Sequence, residues 1–305
     1  MSAGILDGRA VASKIEAELK ERIVALASRG IRPRLVVLRV GNDPASEIYV
    51  RAKAKKAVEL GIDAEPRHLP DTLSEEALLG IIASLNKDQS VDGILVQLPL
   101  PPQIAASNII EAIDPRKDVD GFHPSNVGRL QLGRAMLVPC TPAGIMRLLD
   151  SAAVPLKGAH AVVIGRSDIV GKPAAALLLQ RDATVTICHS KTRDLASIVG
   201  EADIVIAAVG KPHLIRGEMI KRGAIVIDVG VNRLDRSEEN LGLLQRTPLK
   251  LRTLEEKGSV LVGDVEFTTA SERASWITPV PGGVGPLTIA MLMENSVTAC
   301  EARHR

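Results

Sequence analysis

The chain is nearly without aromatic residues: one Tyr, one Trp and two Phe in 305 residues. Its cores must be filled by Ala, Val, Ile and Leu, and there are few rings on which bases of a nucleic acid could stack. An excess of either charge is missing too. Lys and Arg number 38 against 36 Asp and Glu, a formal net charge of +2, so no long-range field points to a polyanion. Both deficits argue against a nucleic-acid partner. Cysteine is scarce: Cys140, Cys188 and Cys300 stand far apart and no CxxC occurs. That spacing argues against a disulfide scaffold and against a zinc cluster, and it fits a reducing compartment. No apolar run approaches the roughly 20 residues of a membrane span. The opening MSAGILDGRAVASKIEAELKERI carries early acids and helical spacing in place of the apolar stretch of a signal peptide. The expectation is a soluble cytoplasmic protein of about two domains.

What is present is alternation. RLVVLRV (34–40) and DGILVQLPLP (92–101) are apolar strand-like runs. Between them lie a helical stretch from Glu47 to about Leu60, stopped by Gly61, and a second helix in TLSEEALLGIIASLNKD with Ser74 as its N-cap. This βαβ rhythm predicts a parallel sheet. A second set starts near 158, where AHAVVIG, TVTICHS, DIVIAAVG and AIVIDVG each end at a polar or glycine loop. That is a doubly wound pattern, whose ligands sit at the carboxyl ends of the strands. TPAGIMRLLDSA (141–152) reads as a connecting helix. GPLTIAMLMENSVTACEAR (285–303) reads as a terminal helix with Pro286 in its first turn, returning to the first domain. The fold class is α/β with two α/β domains, residues 1–140 with 286–305 and residues 141–285.

Phosphate chemistry is expected at VVIGRSDIVGKP (162–173), a strand, glycine-containing loop and helix. Gly165 suits the tight turn, Gly171 a close backbone approach and Pro173 a first helical turn, and the helix start offers free N–H groups to an anion. Arg166 and Ser167 lie in that loop. About 20 residues on, NAD-binding folds place an acid for the ribose hydroxyls. Here the second strand ends in Ser190, Lys191 and Arg193, with no acid. Hydroxyl and guanidinium groups fit a 2′-phosphate, so the expected cofactor is NADP.

Substrate chemistry has its own candidates. Tyr49, the only tyrosine, and Lys53 are four apart on one helix face, and Lys56 lies near that face, so spacing does not choose between the lysines. An ordinary amphipathic helix accounts for the same pattern. Gln97 sits late in an apolar strand, where it needs a hydrogen-bond partner. Asp118, Asp120 and His123 fall in the polar stretch DPRKDVDGFHPSNVGRL (114–130); two acids with no neighbouring thiol make a poor metal site, and none is expected. TPVPGGVGPLT (278–288) carries Gly282 and Gly283, whose bare backbone suits a flat ring or an interdomain hinge.

Taken together, VGNDPASEIYVRAKAKKAVELGI, DGILVQLPLP, KDVDGFHPSNVGRL, PCTPAGI, VVIGRSDIVGKP, CHSKT, DVGVN and PVPGGVGPLT resemble the bifunctional methylenetetrahydrofolate dehydrogenase/methenyltetrahydrofolate cyclohydrolase family, in family order from about residue 40 to 300. The resemblance implies a folate-binding catalytic domain, a Rossmann-like NADP domain, a substrate cleft between them and a homodimer. It implies NADP-dependent oxidation of 5,10-methylenetetrahydrofolate and hydrolysis of the methenyl product to 10-formyltetrahydrofolate, in one-carbon metabolism that feeds purine biosynthesis. The family's YxxxK pair falls on Tyr49 and Lys53, which selects Lys53 over Lys56. Its strand-end glutamine falls on Gln97 and its pterin-binding aspartate on Asp120. The NADP contacts fall on Gly165, Arg166, Ser167, Ser190 and Val231. One departure stands out: about two dozen residues separate DVGVNRLD from LVGDVEF, where the family has a few. This insertion, 235–258, is expected to be a surface loop or a short helix. A shikimate-type dehydrogenase would share the two-domain build but act on hydroxy acids. A nucleotide sensor would bind NADP without turnover and would not need a lysine base.

Overall fold

The computed structural model describes residues 3–304. The chain divides into two compact units: one holds the chain up to Ala12 and Thr141–Thr288, the other Ser13–Cys140 and the chain from Ile289 on. Among the described residues no helix is long and apolar enough to cross a membrane.

The first unit is built on six parallel strands, in spatial order Gly4–Ile5, Trp276–Ile277, Ile225–Asp228, Ile204–Ala207, His160–Ile164 and Thr184–Cys188. The central strands are short β-branched runs buried on both faces, as a parallel sheet covered by helices requires. Val162, Ile164, Val205, Ala207, Val226 and Ile277 anchor one core. The strand order reverses between His160–Ile164 and Ile204–Ala207. A doubly wound sheet opens its ligand crevice at such a point. The opening pair Gly4–Ile5 joins this sheet beside Trp276–Ile277, so the start of the chain is spent here and not on the strand that follows it in sequence.

The 235–258 segment, expected as a surface loop or a short helix, holds two short helices. Asn232–Asp235 and Ser259–Val262 pair antiparallel, and the helices Glu238–Leu243 and Pro248–Lys257 fill the span between them. Leu234, Leu244, Leu254, Val260 and Val262 bury a core of their own. Each such side chain contributes about 1.5–3 kcal/mol when fully buried, enough to hold two short helices that propensity alone would leave frayed. Ser237 Oγ accepts from Asn240 N, and Gly258 closes the second helix at φ 74°.

The second unit carries a three-stranded parallel sheet, with Arg34–Val40 between Asp63–Leu69 and Gly93–Val96. Leu35, Val36, Val37 and Leu38 are fully buried. Asp63–Leu69 is an edge strand, which explains its charged sequence DAEPRHL. Asp43 accepts from Ser46 N to start the helix Pro44–Leu60, Gly61 ends it at φ 95°, and Ser74 caps Glu75–Lys87 as the sequence predicts. The terminal helix Val284–Arg303 reaches this unit. There Asn295 Nδ2 donates to the carbonyls of Val119 and Val138, and Glu301 pairs with Arg22 at 2.8 Å.

Candidate active site

The helix Pro44–Leu60 delivers Tyr49 and Lys53 on one face. Lys53 is nine-tenths buried, and its Nζ donates to Gln97 Oε1 at 2.9 Å. Gln97 lies directly past the strand Gly93–Val96; its backbone N–H still bonds Leu38 O, and its Nε2 donates to Leu98 O, which fixes the amide with its oxygen toward the lysine. Lys56 points elsewhere: it pairs with Glu16 at 3.0 Å and Glu59 at 3.1 Å. Two lysines that spacing leaves equivalent are thus separated by partners from distant sequence. Tyr49 is 48% exposed, an unusual setting for the chain's single phenol.

Asp120 completes the group. Loss of water pushes its carboxyl up to about 6; the nearby Lys53 ammonium pulls the other way and Asp118 adds to the rise. Partial exposure of the residue coexists with this strong desolvation of its carboxyl. No described residue hydrogen-bonds the Asp120 carboxyl, so its oxygens remain available to accept. Cys140 lies within electrostatic range of both, and burial followed by Asp120 raises its thiol well above the ordinary range, which rules out a resting thiolate. Asp118 and His123 build the loop instead. Asp118 Oδ2 accepts from His123 N and Asn126 Nδ2, and His123 Nδ1 accepts from Ser125 N. Lys117 is buried, donating to the carbonyls of Leu85, Asn86 and Asp88, and desolvation lowers its pKa.

In the first unit, Gly165 follows the strand His160–Ile164 at φ 122°, and a Cβ there would run into the carbonyl of Ala208, past the neighbouring strand. A Cβ on Gly171 would meet the carbonyl of Gly165. These two glycines let the strand end, the next strand's exit and the start of the helix Gly171–Gln180 close on one another. Gly165, Arg166, Ser167 and Ser190 line one cavity of about 490 Å³, with His189, Thr192 and Lys211. Ser167 Oγ accepts from Val170 N and Gly171 N, so it shapes the loop. Val231 is half exposed beyond the strand Ile225–Asp228 and is not among the residues that line this cavity. Glycine cradle, cationic rim and helix start fit a dinucleotide with an extra phosphate.

Two aspartates escape sequence reasoning. Asp228 Oδ1 accepts from Gly230 N and Asp264 N and its Oδ2 from Val265 N; Asp264 Oδ2 accepts from Val209 N and Gly210 N and its Oδ1 from Asn232 Nδ2. They tie together the loops leaving two neighbouring strands, and burial pushes Asp228 up to about 7. The only sequence signal is the pair DVG and GDV, each an acid among small residues at a strand end. Gly282, at φ 106°, accepts from Gly8 N, and a Cβ on Gly8 would strike the Gly283 carbonyl, so the PVPGG loop packs on the start of the first helix. One group of metal-ligand type occurs among the described residues, Asp92, Cys300 and His304. Arg303 Nη1 lies 3.0 Å from the Asp92 carboxylate, and the Cys300 thiol is pushed up to about 12, so it is a poor cation site.

Family models for tetrahydrofolate dehydrogenase/cyclohydrolase match this chain twice, the catalytic domain over residues 6–120 and the NAD(P)-binding domain over residues 139–304. A protein of Solibacter usitatus named bifunctional protein FolD is 54% identical over 299 residues, 98% of each chain. The crystal structure of the bifunctional methylenetetrahydrofolate dehydrogenase/cyclohydrolase of Campylobacter jejuni superposes with a TM-score of 0.90 at 47% identity, covering 99% of this chain and all of that one. The Trypanosoma brucei dehydrogenase-cyclohydrolase, solved with NADP cofactor and an inhibitor, gives 0.90 at 42% identity over 100% and 99% of the two chains.

Proposed function

This chain belongs to the tetrahydrofolate dehydrogenase/cyclohydrolase family, and we propose that Tyr49, Lys53, Gln97 and Asp120 form its folate-facing chemical group. The enzyme is bifunctional. It oxidises 5,10-methylenetetrahydrofolate to 5,10-methenyltetrahydrofolate with NADP, and it hydrolyses the methenyl product to 10-formyltetrahydrofolate. The observation that carries the site assignment is the hydrogen bond from buried Lys53 Nζ to Gln97 Oε1.

Bound NADP supplies the hydride acceptor for the first step. Gly165 and Gly171 would leave bare backbone for its diphosphate, Arg166 and Ser190 would take the 2′-phosphate, and Ser167 and Val231 would complete the contacts. The oxidation leaves a resonance-stabilised cation and moves no proton, so the chain's task is orientation. Asp120 accepts from an N–H and amino pair of the pterin, which a carboxylate suits geometrically. Tyr49 lays its ring beside the pterin, and Gly282 and Gly283 offer flat backbone. Hydrolysis needs proton movement. A water oxygen bonds to the methenyl carbon and its proton passes to Lys53 Nζ, which acts here in its neutral amine form. The bond from that carbon to N5 then breaks as N5 takes the proton back from Lys53 and the hydroxyl proton leaves to solvent water, so the carbon becomes the formyl group on N10. Gln97 keeps the amine aimed throughout.

The folate-handling unit is Ser13–Cys140 with the chain from Ile289, and the NADP unit is the remainder. The chain works as a homodimer in the cytoplasm; three buried free cysteines support a reducing compartment. Sedimentation of the purified protein as a monomer would overturn the dimer. The site is tested with Lys53→Met. Hydrolysis is expected to fall by about 10²–10⁴, the usual worth of a general acid-base, while NADPH continues to form and methenyl product accumulates. Undiminished cyclohydrolase activity in that variant sinks the assignment.

A further inference from the structure

The folate and cofactor chemistry leaves unused a second cavity, of about 380 Å³, in the unit that carries the six-stranded sheet. It shares no lining residue with the cavity at Gly165 and Arg166. Its walls are apolar, from Leu249, Val262, Val265, Phe267, Pro279 and Val280. The inserted segment supplies one wall and, within it, the ammonium of Lys250.

Lys250 is half-buried and its Nζ donates to two carbonyls, Leu261 O and Val280 O, each at 2.7 Å. An ammonium has three donors, so one is left over. No carboxylate pairs with Lys250 among the described residues, and desolvation alone lowers its pKa. The buried acid Glu266 acts on His213, another wall residue, and not on Lys250. A cation drawn out of water without a counter-ion, set in an apolar wall, gains most from an anion that brings an apolar body with it. Since a cavity of about 150 Å³ already holds benzene, this one has room for two fused rings and a carboxylate.

We propose that this cavity is a second ligand site, for a small carboxylate with a flat or branched apolar body, whose carboxylate takes the remaining N–H of Lys250. Val280 is one of the acceptors that hold the ammonium, and Gly282 follows it by two residues, so the ligand draws on the same cation that restrains the PVPGG loop.

The test is a calorimetric titration of the full chain with 2-naphthoate, and with 2-naphthamide as the uncharged match. Saturable naphthoate binding is expected, with the amide at least about 10-fold weaker and Lys250→Met weakening naphthoate by a similar factor, the order expected for one charge-assisted hydrogen bond. Thr268→Trp, which fills the cavity from a side chain with no part in the ammonium's bonds, is expected to abolish binding while retaining the wild-type circular dichroism. Absence of saturable binding to the wild type, equal affinity for acid and amide, or naphthoate binding unchanged in Thr268→Trp overturns the proposal. Displacement of naphthoate by p-aminobenzoylglutamate also overturns it, by making the cavity a part of the folate site.

Discussion

The Asp120 carboxyl titrates near 6 because its surroundings withhold water, with Lys53 only partly offsetting the loss. In an unfolded chain an aspartate titrates near 3.9, so between these values the folded protein holds a proton that the unfolded chain has released. The contribution of this group to stability is therefore fully present below about pH 4 and is lost as pH rises through 6. Above that, the ionised carboxylate costs the fold up to about 3 kcal/mol, less where residual solvent contact screens it. Asp120→Asn is expected to melt a few degrees above the wild type at about pH 7.5 and to lose that gain at about pH 4. The same variant gives up the charged acceptor proposed for the pterin, so its KM for 5,10-methylenetetrahydrofolate should rise at least about 10-fold. In the wild type, kcat/KM for oxidation should fall as pH drops through 6. A variant that melts lower and binds folate as well as the wild type refutes both halves. Lys53 shows how far a sequence reaches at this scale. Tyr49 and its four-residue spacing mark the helix face and the family resemblance singles out Lys53, but the physical reason that Lys56 is otherwise engaged is Glu16, forty residues away, which no local pattern reveals.

The strand-to-helix turn at Gly165 is the element on which the proposed cofactor site depends. At φ 122° an alanine is strained by about 1–3 kcal/mol before any contact is counted, and its methyl meets the Ala208 carbonyl. Gly165→Ala must spread the ends of two adjacent strands, so the Kd for NADP is expected to rise at least about 10-fold by calorimetry. An unchanged Kd would mean that the close approach of these strand ends does not serve the nucleotide. Elements of this kind were readable in advance because the buried strands Arg34–Val40, His160–Ile164, Ile204–Ala207 and Ile225–Asp228 are β-branched runs ended by glycine or polar loops. Asp63–Leu69 was not, since an edge strand tolerates Asp, Glu, Arg and His. The 235–258 segment was legible only as a loop or a short helix: its charges mask Leu244 and Leu254, which meet Leu234, Val260 and Val262 only after two strands pair. Asp228 and Asp264 were hidden for a related reason, because each earns its role from backbone N–H groups of loops distant in sequence.

At the scale of the whole molecule, the chain runs two reactions with unequal demands on its two units. On the proposed assignment, hydride transfer needs both the folate-facing group and a nucleotide held at Gly165. Hydrolysis takes only water and a proton carrier, so its requirement for the nucleotide loop is indirect. Single substitutions should therefore move the ratio of the two activities in opposite directions. With supplied methenyltetrahydrofolate for one assay and methylenetetrahydrofolate with NADP for the other, Gly165→Ala should raise the ratio of hydrolysis to oxidation at least about 10-fold, the factor by which nucleotide affinity falls. Lys53→Met should lower it by about 10² or more, because only hydrolysis needs a proton moved. If both variants lose both activities in step, the two reactions do not divide between Lys53 and the nucleotide loop. The substrate group and the cofactor loop would then have to be read as one device in which neither step proceeds unless both parts are intact.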